Sequence, residues 1–182
     1  MTDQKITLKF ILVLIIIVFI TSIIHEFAHW LTYDNLGYEA IMRLNGVSTI
    51  KGENPTDWHN IISSSAGPII TIIQGLVAYV FLKFWRWDKY VYAFLFAAFF
   101  MRFLAGLMNF IMLNDEARIS VYLKLGAFTL PILVNAILFY MVYKISRKYK
   151  LKWKFHISTS LIAVIATTGL IFIDQYFKIR IL

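Results

Sequence analysis

Five long apolar segments, separated by shorter polar ones, dominate the hydrophobic pattern of this chain. They cover residues 10–33, 61–84, 90–113, 127–143 and 157–177. A helix of about 20 residues is needed to cross a hydrocarbon core of ~30 Å, and these segments are close to that length or longer. The pattern therefore predicts an all-α polytopic membrane protein with about five transmembrane helices.

The only sizeable polar interval between these segments, residues 34–58, contains the pair Asn45-Gly46 between two short apolar-rich runs. An Asn-Gly pair in this setting is the strongest local signal for a β-hairpin, because a type I′ turn needs positive φ at both central positions. We therefore expect a small hairpin after the first helix. It could be a linker at the membrane interface, or an exposed edge strand to which an extended peptide adds by main-chain hydrogen bonds.

Composition agrees with a bundle in lipid, since 60% of the residues are hydrophobic and the mean hydropathy is +0.72. The length of 182 residues suits a single domain. The net charge of +8 does not indicate a nucleic-acid partner, because Lys and Arg cluster in the short loops, as in proteins that sit in a lipid bilayer. The chain has no cysteine, which leaves His, Asp and Glu as candidate metal ligands.

The distribution of positive charge predicts the orientation. The N-terminal segment and the loops after spans two and four carry eleven Lys and Arg residues, whereas the opposite ends carry six. Positive charge favours the cytoplasmic side, so we expect a cytoplasmic N-terminus. The first span is too long for a cleavable signal peptide, and we expect an integral protein of a prokaryotic cell membrane.

The most informative motif is His25-Glu26-Phe27-Ala28-His29, in the last third of the first apolar segment. Ionisable residues inside a membrane are costly and by default indicate function. Positions i and i+4 lie on one helix face, so His25 and His29 can bind a single metal ion. Glu26, three residues before His29, can then act as general base on a metal-bound water. The alternative is a helix whose histidines only meet polar partners in the bundle.

Two polar residues interrupt the third apolar segment. Arg102 lies near its midpoint and Asn109 follows seven residues later on the same face. An arginine at this depth should have an acidic partner, which favours a structural ion pair. The other interpretation is that Arg102 and Asn109 contribute to substrate or transition-state binding.

The segment Asn114-Asp115-Glu116 directly follows the third apolar segment and allows two interpretations. Asn114 can cap a short helix over residues 115–125, with the acidic residues complementing the helix dipole. Alternatively, Asp115 or Glu116 supplies the third ligand of a catalytic metal site with two histidines. Both can hold together, because a capped helix start would fix the carboxylate.

The candidate residues should meet at one side of the membrane. In a serpentine bundle, the end of span one, the start of span two and the end of span three share a side. His25, Glu26, His29, the Ala66-Gly67-Pro68 segment, Asn109 and Asp115 all fall there. The small residues before Pro68 allow close helix contact, and the proline starts or kinks the second helix.

At these residues the chain resembles the site-2 protease family of zinc intramembrane metalloproteases. The matching parts are the His25–His29 motif in an early span, Ala66-Gly67-Pro68 in the next, an Asn/Asp region at the end of the third, and a hairpin after the first helix. The resemblance covers residues 10–125 as a metalloprotease core, with residues 126–182 as additional transmembrane helices. It implies Zn²⁺ held by His25, His29 and Asp115, with Glu26 as the catalytic base. It also implies hydrolysis of peptide bonds in or near transmembrane segments of protein substrates.

The chain departs from the family where Asn109 leads to Asn114-Asp115-Glu116 without the usual proline and glycine. The choice between Asp115 and Glu116 therefore stays open. The family more often opens its site toward the cytoplasm, against the orientation that the charges predict. Two other functions compete: a non-catalytic zinc-binding membrane protein that acts through partners, and a small metal or proton transporter using His25, Glu26 and Arg102.

Overall fold

Six α-helices and one antiparallel sheet make up the fold over residues 2–182, the part of the chain that this computed structural model describes. In chain order the elements are α1 (Leu8–Asn35), β1 (Ala40–Arg43), β2 (Gly46–Thr49), α2 (Asp57–Phe84), α3 (Lys89–Met108), α4 (Asp115–Tyr122), α5 (Thr129–Tyr149) and α6 (Trp153–Phe177). All the helices except α4 are long and apolar enough to cross a membrane. The predicted helical membrane fold, with five spans and a hairpin after the first, is confirmed.

Helix α1 lies at the centre of the bundle, where it packs against α2, α3, α6 and the hairpin. Its buried residues recur every three or four positions, which is the period of one helix face. The buried stripe is apolar from Phe10 to Val18 and polar from Thr21 to His29. The same helix face therefore contributes to the hydrophobic core at one end and to a polar cluster at the other.

The third predicted span is wrong at its C-terminal end, because α3 stops at Met108 and residues 109–113 form irregular turns. The side-chain oxygen of Asn109 accepts a hydrogen bond from the backbone N–H of Asn114 at 2.7 Å, which closes a turn in place of a further helical turn. Phe110 and Ile111 are 78% and 80% exposed on the outer surface of the bundle. Side chains on such a surface stay apolar in lipid whether or not the backbone is helical.

The hairpin forms as predicted, but its turn lies one residue earlier than expected. Arg43 pairs with Gly46, so Leu44 and Asn45 are the two turn residues, and Gly46 already belongs to β2. A type I′ turn needs positive φ at both turn residues. Neither Leu44 nor Asn45 is among the described residues with positive φ, so the turn is not type I′. Leu44 is buried and its backbone N–H donates to Asp174 of α6, a contact that local turn preferences do not include.

The chain segments that a serpentine path predicts to share an end of the bundle do meet there. The backbone carbonyl of Asp3 accepts from the indole of Trp87 at 2.9 Å, and the side chain of Gln4 accepts from the backbone N–H of Lys152 at 2.7 Å. The N-terminus and the loops after α2 and α5 therefore share one end. The hairpin and the C-terminal residues meet at the other end, where Met42 bonds to Leu182.

Candidate metal centre

The two histidines of α1 point their Nε2 atoms at each other from one face of the helix. Both side chains are buried, and the two Nε2 atoms lie 3.1 Å apart with the rings edge to face. The spacing of four residues produces this arrangement, because it stacks the rings over successive turns of the helix. The prediction that His25 and His29 converge is confirmed.

Asp115 comes to the same point from the first turn of α4. Asn114 caps this helix, as predicted, with its side-chain oxygen accepting from the N–H of Ala117 at 2.8 Å. The Asp115 Oδ2 atom lies 3.2 Å from His25 Nε2 and 3.4 Å from His29 Nε2. Burial raises the pKa of Asp115, but hydrogen bonds donated to it by protonated imidazoles of His25 and His29 have the larger effect and hold that pKa well below its usual value.

The distances among these three donor atoms fit a metal ion. Nitrogen and oxygen ligands at ~2.0–2.1 Å from a tetrahedral zinc lie about 3.3 Å from one another. The three edges measured here are 3.1, 3.2 and 3.4 Å, close to one face of such a tetrahedron. His25, His29 and Asp115 could therefore hold a metal ion with a fourth position left open.

Hydrogen bonds at the other ring nitrogens orient both imidazoles. His29 Nδ1 lies 2.7 Å from the backbone carbonyl of Ser63, which can only accept, so Nδ1 carries the proton. His25 Nδ1 lies 3.0 Å from the hydroxyl of Thr71, which itself donates to the carbonyl of Gly67. In the neutral rings both Nε2 atoms thus carry lone pairs, as metal ligation requires.

Gly67 lets α2 approach the two imidazoles closely. A Cβ built on Gly67 would lie 2.6 Å from His25 Nε2 and nearer still to His29 Nε2, whereas real Cβ atoms essentially never come within 3.0 Å of another heavy atom. The absence of a side chain at Gly67 therefore permits close helix contact, as predicted, and the contact is with the histidines. Pro68 lies inside α2 and does not start it.

Glu116 has a different partner from Asp115. It is 3% exposed and lies 3.3 Å from the guanidinium of Arg102, which is 6% exposed and also lies 3.6 Å from Asp115. The acidic partner predicted for Arg102 is therefore present. Of the two acids that were candidates for the third ligand, only Asp115 joins the histidines.

A cavity of about 200 Å³ opens beside the donor atoms. Its walls include Glu26, His29 and Asp115, together with the hairpin residues Gly46 and Val47. Within residues 2–182 the Glu26 carboxylate makes no hydrogen bond or ion pair with protein groups, and only 9% of the residue is exposed. A buried carboxylate that faces a cavity is available to a bound molecule.

Arg102 and Asn109, the two residues predicted to bind substrate, lie outside the described wall of this cavity. Asn109 holds the turn that leads into α4, and Arg102 holds the two acids. Sequence reasoning missed Tyr33 and Arg118, which line the cavity, and Thr71, which orients His25. No signal in the sequence singled these three out, because each depends on which helix faces meet.

A larger groove, of about 630 Å³, lies between α3 and α5 and has a mostly apolar lining. Phe110 and Ile132, on its wall, are 78% and 64% exposed on the outer surface of the bundle. The described lining contains no titratable residue. This groove therefore offers no acid, base or charged metal ligand, whereas the smaller cavity offers Glu26, His29 and Asp115.

Comparisons with protein-family models, with curated proteins and with solved structures found no match for this chain. The resemblance of the motifs to site-2 proteases stays a prediction from sequence.

We expect purified protein to carry about one metal ion per chain, lost on His25→Ala or His29→Ala, because each imidazole supplies one of three donor atoms. Elemental analysis of the folded protein measures this. His156→Ala is the matched control, because His156 pairs with Tyr92 outside the cluster and its loss should leave the metal content unchanged. Equal metal content in all three variants would contradict the site.

Asp115→Ala and Glu116→Ala should affect different properties. Asp115→Ala removes a donor atom and should lower metal affinity by more than the about 10- to 100-fold that follows loss of a group that only orients a ligand, while the Arg102–Glu116 pair keeps the fold. Glu116→Ala leaves a buried guanidinium short of a partner and should cost about 3–5 kcal/mol of stability. Metal titration and thermal unfolding of the same samples separate the two. Metal loss confined to Glu116→Ala would identify it as the ligand.

Gly67→Ala should disturb the metal site without removing any ligand. The new methyl group must displace the imidazoles from their hydrogen bonds, and we expect metal affinity to fall about 10- to 100-fold, as for other losses of ligand orientation. Gly169→Ala in α6 is the control, because nothing lies within 4 Å of the Cβ built there. Unchanged affinity in Gly67→Ala would mean that the imidazoles can shift at no cost.

Proposed function

We propose that this chain is a zinc-dependent endopeptidase that hydrolyses peptide bonds in or near transmembrane segments of other proteins. The observation that carries the proposal is the triangle of His25 Nε2, His29 Nε2 and Asp115 Oδ2, beside a cavity that Glu26 also lines. Two imidazoles and a carboxylate with an open position are the ligand set of a catalytic rather than a structural zinc.

Zinc held by these three atoms would supply a Lewis acid that polarises a peptide carbonyl and makes a water molecule more acidic. The chain's own residues do the rest. Thr71 and the Ser63 carbonyl hold the imidazoles with their lone pairs inward, and Arg102 steadies Asp115 from behind. The low exposure of the cluster keeps bulk water away, which strengthens these electrostatic interactions.

Glu26 is the residue that moves protons in this proposal. Its carboxylate takes a proton from water as the water oxygen attacks the peptide carbonyl carbon. It then gives that proton to the leaving amine as the carbon–nitrogen bond breaks, so the carboxylate is regenerated. The absence of a protein partner for Glu26 among the described hydrogen bonds supports this role, because no competing contact must be broken.

The open edge of β2 is suited to bind an extended substrate. Met42 and Val47 face each other across the hairpin, and Met42 directs its N–H and C=O outward to the C-terminal residues. In an antiparallel pair the facing residue also directs its backbone groups outward, so the N–H and C=O of Val47 point to the opposite edge. Val47 lines the cavity, so a peptide strand added there would pass the metal centre.

The sequence left open which edge of the hairpin would be exposed. The C-terminal residues cover β1, so the proposal uses β2 alone. Binding by main-chain bonds requires an unwound substrate, which agrees with cleavage where a transmembrane helix is broken. Direct contact of Arg102 or Asn109 with substrate stays a prediction; the contacts described above favour support of Asp115 and α4.

Glu26→Gln tests the mechanism. The substitution keeps the size of the side chain but removes the base, so it should leave zinc content and folding intact and reduce cleavage by about 10²–10⁴-fold. The assay uses co-expressed single-span proteins whose transmembrane segments contain helix-breaking residues. The wild type and Glu26→Gln are compared by the appearance of cleaved product.

Glu53→Gln, in the loop before α2, is the matched control and should cleave like the wild type. A non-catalytic zinc protein or a transporter gives a different result, with no wild-type cleavage of any substrate in the panel. Cleavage that persists undiminished in Glu26→Gln would refute the proposed mechanism whatever the zinc content.

A further inference from the structure

The hairpin beside the metal centre is too small to hold its own position. Each strand has four residues, and an isolated two-stranded hairpin is at best marginally stable. Yet Gly46 and Val47 of this hairpin line the same cavity as Glu26 and His29. Other parts of the chain must therefore fix it.

Both backbone groups of the turn residue Leu44 are bound by buried side chains from two helices. The N–H of Leu44 donates to Asp174 Oδ1 at 3.2 Å, and its carbonyl accepts from the hydroxyl of Ser22 at 3.4 Å. Asp174 is 9% exposed and belongs to the last turn of α6, while Ser22 is 2% exposed and lies one helical turn before His25. The turn is thereby tied to the helix that carries the metal ligands.

The C-terminal residues fix the outer edge of the hairpin. Helix α6 ends at Phe177, and Lys178 adopts a left-handed conformation with φ of 47° that redirects the chain toward β1. There Met42 donates its N–H to the carbonyl of Leu182 at 3.1 Å and accepts from the N–H of Ile181 at 2.8 Å. Arg43 and Arg180 form an antiparallel bridge next to this pair, so residues 180–182 act as a short third strand.

We propose that Asp174 and the strand at residues 180–182 are positioning elements that hold the hairpin against the metal centre. Helix α6 is then part of the working site, although none of its residues lines the described cavity wall. The effect of these elements on catalysis rests on the proposed protease function, but their effect on the position of the hairpin does not. Labelling of the hairpin and cleavage of a substrate measure the two effects separately.

The absence of cysteine makes a single introduced thiol a clean reporter of hairpin docking. Met42 is 1% exposed, so Met42→Cys should react slowly with a membrane-impermeant maleimide while the hairpin is docked. Leu44→Cys, at a position 8% exposed, is a second reporter in case the first loosens the strand. Each further variant is compared with its own reporter background.

Asp174→Ala removes the acceptor for the Leu44 N–H, and we expect the labelling rate to rise about 10- to 100-fold, as for loss of a hydrogen bond to a charged group. Ending the chain after Ile179 should raise it comparably. Asp174→Asn keeps an acceptor oxygen and should restore slow labelling. Ile181→Ala keeps the main-chain bonds, and its side chain is 39% exposed, so it should also label slowly.

Metal content should be unchanged in all four variants, because no ligand is touched. If the protein cleaves substrates as proposed, Asp174→Ala should raise KM more than it lowers kcat, since it displaces the edge that binds the peptide. Slow labelling in both Asp174→Ala and the shortened chain would overturn the inference. Equally fast labelling in Asp174→Asn would also overturn it, because the bond to Leu44 would then be irrelevant. An absence of cleavage in the wild type would count against the protease and leave the labelling result valid.

Discussion

The candidate metal centre depends on a balance of charge among acidic and basic side chains that are largely buried in the bundle. The carboxylates of Asp115 and Glu116 lie 3.6 and 3.3 Å from the guanidinium of Arg102, and Glu26 and Arg118 line the same cavity as Asp115. If all five groups are ionised, the three carboxylates exceed the two guanidinium groups by one negative charge, and uncompensated buried charge is very costly. A cation between the imidazoles and Asp115 would offset that charge. Charge balance therefore favours a positive ion at the point where the three donor atoms meet.

Close packing of α2 on α1 makes this balance possible. A side chain at Gly67 would occupy the space of the imidazole nitrogens, and the carbonyl of Ser63 orients one of the rings directly. Small residues in membrane helices are commonly explained by helix contact alone. Here the same residues also set the tautomer and the direction of the metal ligands, so packing and chemistry depend on the same few positions.

Features of the metal centre that depend on a single helix could be predicted from the sequence. The i, i+4 histidines share a face of one helix, and Asn114 caps α4 through a bond three residues away. The choice between Asp115 and Glu116 could not be predicted, because neighbouring helical residues point about 100° apart and the packing of α4 decides which one faces α1. The turn of the hairpin was misplaced for a similar reason, since Asp174 lies 130 residues from Leu44.

Helices α5 and α6, which lie outside the predicted metalloprotease core of residues 10–125, pack closely on it. Helix α5 packs on α2, α3 and α4, and α6 packs on α1. Asn135 of α5 donates to the backbone carbonyl of Arg102 at 3.1 Å, directly behind the residue that pairs with both acids. Each of the last two helices thus supports one side of the metal centre: α5 behind Arg102 and Asp115, and α6 beneath the hairpin. All five long helices therefore contribute to holding the few residues of the candidate metal centre.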